Sequence, residues 1–389
     1  MNKKPIGVMI AGAGAIAAVH ADAYAQFGNL CTIVAVCDVF EEKAKELVAA
    51  KGLKAKTFSD YREALKLPEV DAVSVCLPPS LHAEVAVAAL SSGKHVLCEK
   101  PMAGSLEECD AMVKAADISG KILSAVAQNR FKTPNQKVQR LLRDKIAGEV
   151  LLAVVNSLWW RGENYYDLSW RGTWEKEGGG CVLNHAVHHI DLLLWMLGKP
   201  QSVSAVIGNV GHDNSQCEDF ASAVLSYPGA VAQLNANLLT HDEEQELVFQ
   251  CKKARLSVPW KPFASKALEN GFPAIDDGTR ASVDAAYQAL PSLTTEGHPA
   301  QIGNFLAAIR GEEDLLIDGR QGRDTIELIT AIYKSACTKS AVKLPIASDD
   351  PFYKKGGLAA LMPHFHEKTR NVDHLKMSAP ISLGRDVGR

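Results

Sequence analysis

Short apolar runs alternate with amphipathic segments through the first third of the chain. Ile6–Ala11 is uniformly apolar and too short for a buried helix, so it predicts a strand. Ala15–Phe27 follows with helical spacing, then Thr32–Cys37 as a second strand and Glu41–Lys51 as a second helix. Ala72–Leu77, His95–Cys98 and Ile122–Ala127 continue the strands, with helices predicted over Leu81–Ser91 and Ser105–Ser119. Strands separated by helices of this length imply right-handed crossovers and an α/β domain built on a doubly wound parallel sheet.

Beyond residue 130 the alternation stops. Val150–Leu158, Ser202–Val210, Ala221–Tyr227 and Ala230–Leu239 read as consecutive strands, the last two joined by the turn Tyr227-Pro228-Gly229-Ala230. Strands in series with few helices between them predict a second, α+β domain with a mainly antiparallel sheet. Two late helices, Ala300–Arg310 and Asp324–Lys339, are expected to cover one face of it. From Pro351 periodicity fades, which suggests an arm wrapping the body or a neighbouring subunit. The expected division is 1–129, 130–350 and an arm over 351–389.

Composition narrows the function classes. Forty-two Lys+Arg against 45 Asp+Glu leave a net charge of −3, without the basic footprint of a nucleic-acid partner. The 47% hydrophobic fraction excludes wholesale disorder. Nine cysteines are scattered without a CxxC pair, and Cys37, Cys76 and Cys98 sit in apolar runs, as reduced cysteines of a cytoplasmic protein do. Met1–Lys4 and the apolar run after it imitate a secretory signal. Gly7, Gly12 and Gly14 break that run, so no leader is expected. No stretch is long enough for a membrane span.

The first chemical motif is Gly12-Ala13-Gly14-Ala15-Ile16-Ala17, GxGxxA between the first strand and the first helix. Gly12 permits the tight turn, Gly14 lets the backbone approach a pyrophosphate, and Ala17 takes the small-residue packing position. The helix N-terminus then offers free N–H groups to phosphate. Asp38 ends the second strand, where a carboxylate accepts the ribose hydroxyls of NAD and repels the extra phosphate of NADP. NAD is therefore the expected cofactor. Glu99-Lys100-Pro101 follows the strand His95–Cys98 and places Lys100 at the ligand-binding end of a parallel sheet; a surface lysine in a turn is the plainer alternative.

Gly178-Gly179-Gly180 reads as a flexible loop feeding a helix. On that helix Asn184, His188 and Asp191 are spaced to share one face, and His185 and His189 form an adjacent pair. Such polar groups in an otherwise apolar segment point to a site. Cys181, His185 and His189 have zinc-like spacing, but Ala186 stands where a metalloprotease helix carries its glutamate, and no metal is expected. Trp159–Arg171 concentrates aromatic residues among Arg, Asn and Asp. That mixture suits a polyhydroxylated ligand, or else a packing patch under a long loop.

Together these motifs resemble the glucose-fructose oxidoreductase/inositol dehydrogenase (Gfo/Idh/MocA) family, from the opening strand to about residue 345. The resemblance rests on Gly12–Ala17, on Leu77-Pro78-Pro79 with His82, on Glu99-Lys100-Pro101 and on the segment from Gly178 to Asp191. It implies an N-terminal Rossmann domain and a C-terminal domain on a large open sheet, with homo-oligomerisation. It assigns Lys100 and His188, with Asn184, to the catalytic centre. Cofactor contacts are expected from Gly12, Gly14, Ala15, Ile16, Asp38, Leu77, Pro78, His82, Glu99, Lys100, Gln128, Trp170 and Arg171. Substrate contacts are expected from Lys100, Arg130, Trp160, Arg161, Tyr165, Asn184, His185, His188 and His241.

Many members carry Asp where this chain has Asn184, so Lys100 is expected to titrate lower here and to share the base role with His188. Oxidising a secondary alcohol needs a base for the hydroxyl proton and a cation for the developing alkoxide, roles that suit His188 and Lys100. The aromatic loop resembles that of sugar and glycoside dehydrogenases, some of which oxidise a C3 hydroxyl. An NAD-dependent sugar or glycoside 3-dehydrogenase is the leading expectation. Alternatives are a redox-neutral NAD-dependent glycosidase, an inositol or polyol dehydrogenase, and a catalytically silent NAD-binding regulator.

Overall fold

The structure, a computed structural model, describes residues 4–372. It divides into two compact units. The first comprises the chain up to Phe131 together with Thr295–Ile326 and Tyr353–Gly356. The second comprises Lys132–Thr294, Glu327–Phe352 and residues 357–372.

The first unit is built on β1 (Ile6–Ala11), β2 (Cys31–Cys37), β3 (Lys56–Phe58), β4 (Ala72–Val75), β5 (His95–Cys98) and β6 (Leu123–Ala125). All neighbours are parallel, in the order β3-β2-β1-β4-β5-β6. This is the Rossmann order, with its reversal between β1 and β4 marking the ligand crevice. Helices α1 (Ala15–Ala25), α2 (Glu41–Ala50), α3 (Tyr61–Leu65), α4 (Pro79–Ser91) and α5 (Leu106–Ser119) make the crossovers. Their ends follow local chemistry. Ser105 caps α5 by accepting from the Glu108 N–H while its hydroxyl donates to the Glu108 carboxylate, and Gly120 ends the helix in the left-handed region.

The second unit opens with α6 (Thr133–Arg143) and carries β7 (Val150–Leu158), α7 (Val187–Leu197), β8 (Ser202–Gly208), β9 (Phe220–Tyr227), β10 (Ala230–Asn237), β11 (Gln245–Cys251) and β12 (Arg255–Val258). A small hairpin, β13 (Ser265–Ala267) with β14 (Pro273–Ile275), and α8 (Asp277–Ala289) follow. With β15 (Val342–Lys343), these strands form a seven-stranded sheet, β12-β11-β7-β10-β9-β8-β15, antiparallel except for the β7–β10 pair. One face is packed, with Ala153, Val155, Leu225, Leu234 and Phe249 all buried. The other is open. Val206, Val224 and Val231 are exposed there, beside a polar ladder in which Ser222 donates to Asn235 and Asn235 donates to Asn156.

One expected assignment is corrected. The late helix α9 (Gly297–Arg310) belongs to the first unit rather than covering the second sheet. Ile302, Phe305 and Leu306 join the core cluster that includes Val8, Ile10 and Tyr24. The Gln301 amide donates to Ala125 O and accepts from Ala127 N, satisfying backbone groups at the free edge of β6. The next helix, α10 (Gly319–Thr338), is shared between the units, and α11 (Gly357–Leu361) is the last helix of the described residues. The expected arm over 351–389 is therefore divided. Residues 353–356 lie with the first unit, where Lys354 pairs with Glu107, and residues beyond 372 lie outside the described residues.

Candidate active site

At the reversal point of the first sheet, β1 passes into α1 through the glycine-rich turn. Gly12 has φ +100°, and a Cβ there would stand 2.2 Å from the Cys76 carbonyl oxygen, so no other residue fits. Gly14 caps α1, and a Cβ there would meet nothing within 4 Å. That open space beside free helix N–H groups can take an anion. Ala15 and Gly14 are exposed, Ile16 is half-buried, and Ala17 is buried in the core as a packing residue should be. Asp38 ties the turn to the end of β2: Oδ2 accepts from Ala13 N at 2.9 Å and Oδ1 from Phe40 N at 3.0 Å. Each oxygen keeps lone-pair capacity for a hydroxyl.

The carboxyl ends of β4 and β5 hold the next group. His82, buried on α4, lies 2.8 Å from Pro101 O and 2.7 Å from Leu77 O, and so pins the two segments that follow these strands. Burial lowers its pKa, and Pro78 is the N-cap residue of the helix. Glu99 is buried and makes a network invisible to sequence reasoning. His20 Nε2 lies 2.9 Å from Glu99 Oε1, His298 Nε2 lies 3.6 Å away, and the Lys100 N–H donates to Oε2 at 3.1 Å. Burial opposes the charge of Glu99, but the two histidines hold its carboxyl well below the ordinary range. His20 Nδ1 continues the chain to Ser74 Oγ, which bonds the Tyr24 hydroxyl. His20, Glu99 and His298 are also the group of ligating side chains that converges among the described residues, with their ligating atoms within 4.8 Å of one another. The spacing that could have hinted at it spans residues 20 to 298, which no local pattern reveals.

Lys100 itself is half-buried at the end of β5. Gln128 follows β6 with a buried Oε1 that has no partner among the described residues. Arg130 is buried at 1% exposure, and its guanidinium donates to Leu316 O. The structure therefore gives Arg130 an anchoring contact inside the first unit.

In the second unit, Val182–Ala186 forms a π-helical turn before α7. The preceding glycines are packed rather than flexible. A Cβ on Gly179 would stand 2.3 Å from the Tyr333 hydroxyl, and one on Gly180 would stand 1.8 Å from the Glu218 carbonyl oxygen. Asn184 holds the same segment, its Nδ2 donating to Gly179 O at 2.7 Å and Gly180 O at 3.3 Å. An Asp at this position would set a carboxylate against two carbonyls, which accounts for the amide independently of any effect on a lysine.

His188 is half-buried on the first turn of α7. His189 is fully buried with neither ring nitrogen hydrogen-bonded among the described residues, and burial pushes its pKa down to about 4. His185 packs between Trp159 and Tyr165, with ring centroids at 5.5 and 5.8 Å. The aromatic loop is itself tightly tied. Arg171 lies over the Tyr165 and Trp170 rings, donates to the Tyr165 hydroxyl and pairs with the buried Glu177. Arg161 pairs with Glu243 and lies over Trp159 and Tyr165. Trp160, 44% exposed, stacks on the exposed His241 at 5.6 Å and offers an apolar face to solvent.

Comparison with known proteins matches both units. The profile described as "Oxidoreductase family, NAD-binding Rossmann fold" covers residues 6–126, and that of the "GFO/IDH/MocA C-terminal domain" covers 135–257. The chain is 28% identical to the D-glucoside 3-dehydrogenase of Escherichia coli K12, over 88% of this chain and 99% of that protein. The WlbA dehydrogenase of Bordetella pertussis, solved with NADH and UDP-GlcNAcA, is 30% identical with a TM-score of 0.76. That match covers 89% of this chain and all of that one. Levoglucosan dehydrogenase, solved with NADH and levoglucosan, shares the fold with a TM-score of 0.74 at 20% identity. No described helix is long and apolar enough to cross a membrane.

Proposed function

The chain belongs to the Gfo/Idh/MocA family of NAD-binding oxidoreductases, and from that membership we propose that it oxidises the C3 hydroxyl of a sugar or glycoside. The observation that carries the C3 assignment is the near full-length similarity to a D-glucoside 3-dehydrogenase. The open space at Gly14, the Asp38 carboxylate beside it and the unpartnered Gln128 acceptor fit a dinucleotide, with Asp38 on the ribose hydroxyls.

Bound NAD supplies the hydride acceptor at its nicotinamide C4. The remaining work falls to the protein. His188 takes the hydroxyl proton, and the Lys100 ammonium donates to the same oxygen, so the negative charge that builds there as hydride leaves carbon is held. The Lys100 backbone is steadied by Glu99, which His20 and His298 keep ionised. Trp160 supports the sugar's C–H face, and Arg161 and Tyr165 give the loop its shape. The products are a 3-keto sugar, NADH and one proton. The open sheet face around Val206, Val224 and Val231 is where this reading places a second copy of the chain.

The test is NADH formation across a panel of glucosides, polyols and inositols, with Lys100→Met alongside. One active glycoside class is expected, with kcat falling by about 10²–10⁴-fold in Lys100→Met at saturating NAD. A released aglycone without NADH would replace the dehydrogenase with the redox-neutral glycosidase.

A further inference from the structure

Glu218 has no role in the chemistry proposed above, yet it is fully buried against the segment that leads into α7. Its Oε1 accepts from Val182 N at 3.0 Å, Gly180 N at 3.1 Å and the Tyr333 hydroxyl at 2.8 Å, and Oε2 accepts from Gly180 N at 3.0 Å. Its backbone carbonyl accepts from Cys181 N at 3.1 Å. One residue thus captures three successive N–H groups at the start of the helix that carries Asn184, His185 and His188. These are donors that a helix N-terminus leaves without intrahelical partners.

We propose that Glu218 is a positioning residue: its ionised carboxylate holds the first turn of the helix bearing Asn184 and His188, and its protonation releases that turn. The donor count carries the argument. A carboxylate has about four acceptor sites, whereas the neutral acid loses acceptor capacity and gains a proton that needs an acceptor. Gly180 N and Val182 N can only donate, and the Tyr333 hydroxyl, which donates here, would have to reverse its bond to serve a protonated carboxyl. The titratable groups around it are Tyr333 from α10, Cys181 from the glycine segment, Tyr166 and Glu177 from the aromatic loop region, and Cys217 and Asp219 on its own segment. Asp219 is already occupied by His212 at 2.9 Å, and Glu177 by Arg171 and Gly172 N.

Burial pushes the Glu218 pKa up to about 7, and the bonds from Val182 and Tyr333 oppose that rise. The folded-state pKa lies above the ordinary carboxylate value. The stability this group contributes is therefore full in acid and lost as pH rises through about 7. Release of the turn removes the donors that lower this pKa while Glu218 stays buried, so the released turn binds the proton more tightly and order in the helix start grows as the group ionises.

The experiment is hydrogen exchange over residues 178–190, across about pH 5.5–8.5 and corrected for the intrinsic exchange rate, on the full chain and on Glu218→Gln and Tyr333→Phe. In the parent protein, protection at Gly180 and Val182 is expected to fall as pH drops through neutrality. Tyr333→Phe removes a bond that favours the carboxylate, so the midpoint moves up by about half to one pH unit. Glu218→Gln shows low protection with no midpoint, and if it does not fold, Tyr333→Phe decides alone. An unmoved midpoint in Tyr333→Phe, or parent-like protection in Glu218→Gln, overturns the proposal.

A kinetic arm rests on the function proposed above: the acid limb of kcat should move with the exchange midpoint in Tyr333→Phe, which leaves His188 untouched. An acid limb that stays in place while the exchange midpoint moves overturns the catalytic consequence. An exchange midpoint that moves in a protein inactive on every sugar refutes the sugar reading and leaves the Glu218 clamp standing.

Discussion

Two glycine-rich segments stand side by side as motifs in the sequence and have opposite physical reasons in the structure. At Gly12–Gly14, the first glycine is closed in by the Cys76 carbonyl and the second faces open space at a helix start. At Gly178–Gly180, the last two glycines are closed in by Tyr333, Leu183 and Glu218, and a buried carboxylate already sits on the helix N–H groups. The first helix start has room for an outside anion. The second is filled by the protein's own. Glycine enrichment before a helix therefore signals close approach without saying what approaches.

Substituting the two segments alike separates these reasons most sharply. Gly180→Ala drives a methyl into a backbone carbonyl and should lower stability by about 3 kcal/mol or more, read as lost folded yield or a lowered melting temperature. Gly14→Ala should leave stability unchanged while weakening NAD binding, since its Cβ enters only ligand space. Equal stability losses in the two variants would break the comparison. Asp38→Ala removes the anchor of the first turn and the ribose acceptor together. NAD affinity should fall by about 1.5–3 kcal/mol, the range for hydrogen bonds to a charged group, as titrated by fluorescence or calorimetry.

The smallest of these effects concerns the helix behind the second segment. His189 is buried without partners and stays neutral down to about pH 4, whereas the unfolded chain takes up the proton near 6.5. Its contribution to stability is present above about 6.5 and lost as pH falls towards 4. His189→Leu should therefore recover about 2 kcal/mol at about pH 5 relative to neutral pH, measured by denaturant unfolding at the two values. A pH-independent difference would mean that His189 finds a partner on charging.

The sequence alone determined what is local. Most strand and helix runs of the first unit were legible because a buried parallel strand is a continuous apolar run and its crossover helix is amphipathic; the short edge strand β3 and the single-turn helix α3 carry no such run and were not read. GxGxxA was legible because the turn, the helix start and the small packing residue lie within six adjacent positions. The position of Lys100 followed from its place just after a buried strand.

Tertiary structure decided everything whose partner is distant in the chain. It showed that α9 supplies Gln301 to the edge of β6 and His298 to Glu99, and that the segment before α7 closes on Glu218 and Tyr333. It placed a π-helical turn at Val182–Ala186, just ahead of α7. These contacts leave no periodic trace, because a hydrogen bond or a close packing contact constrains two residues without constraining the chain between them. Such long-range contacts, rather than local pattern, determined why a glycine, a buried histidine or a buried glutamate stands where it does.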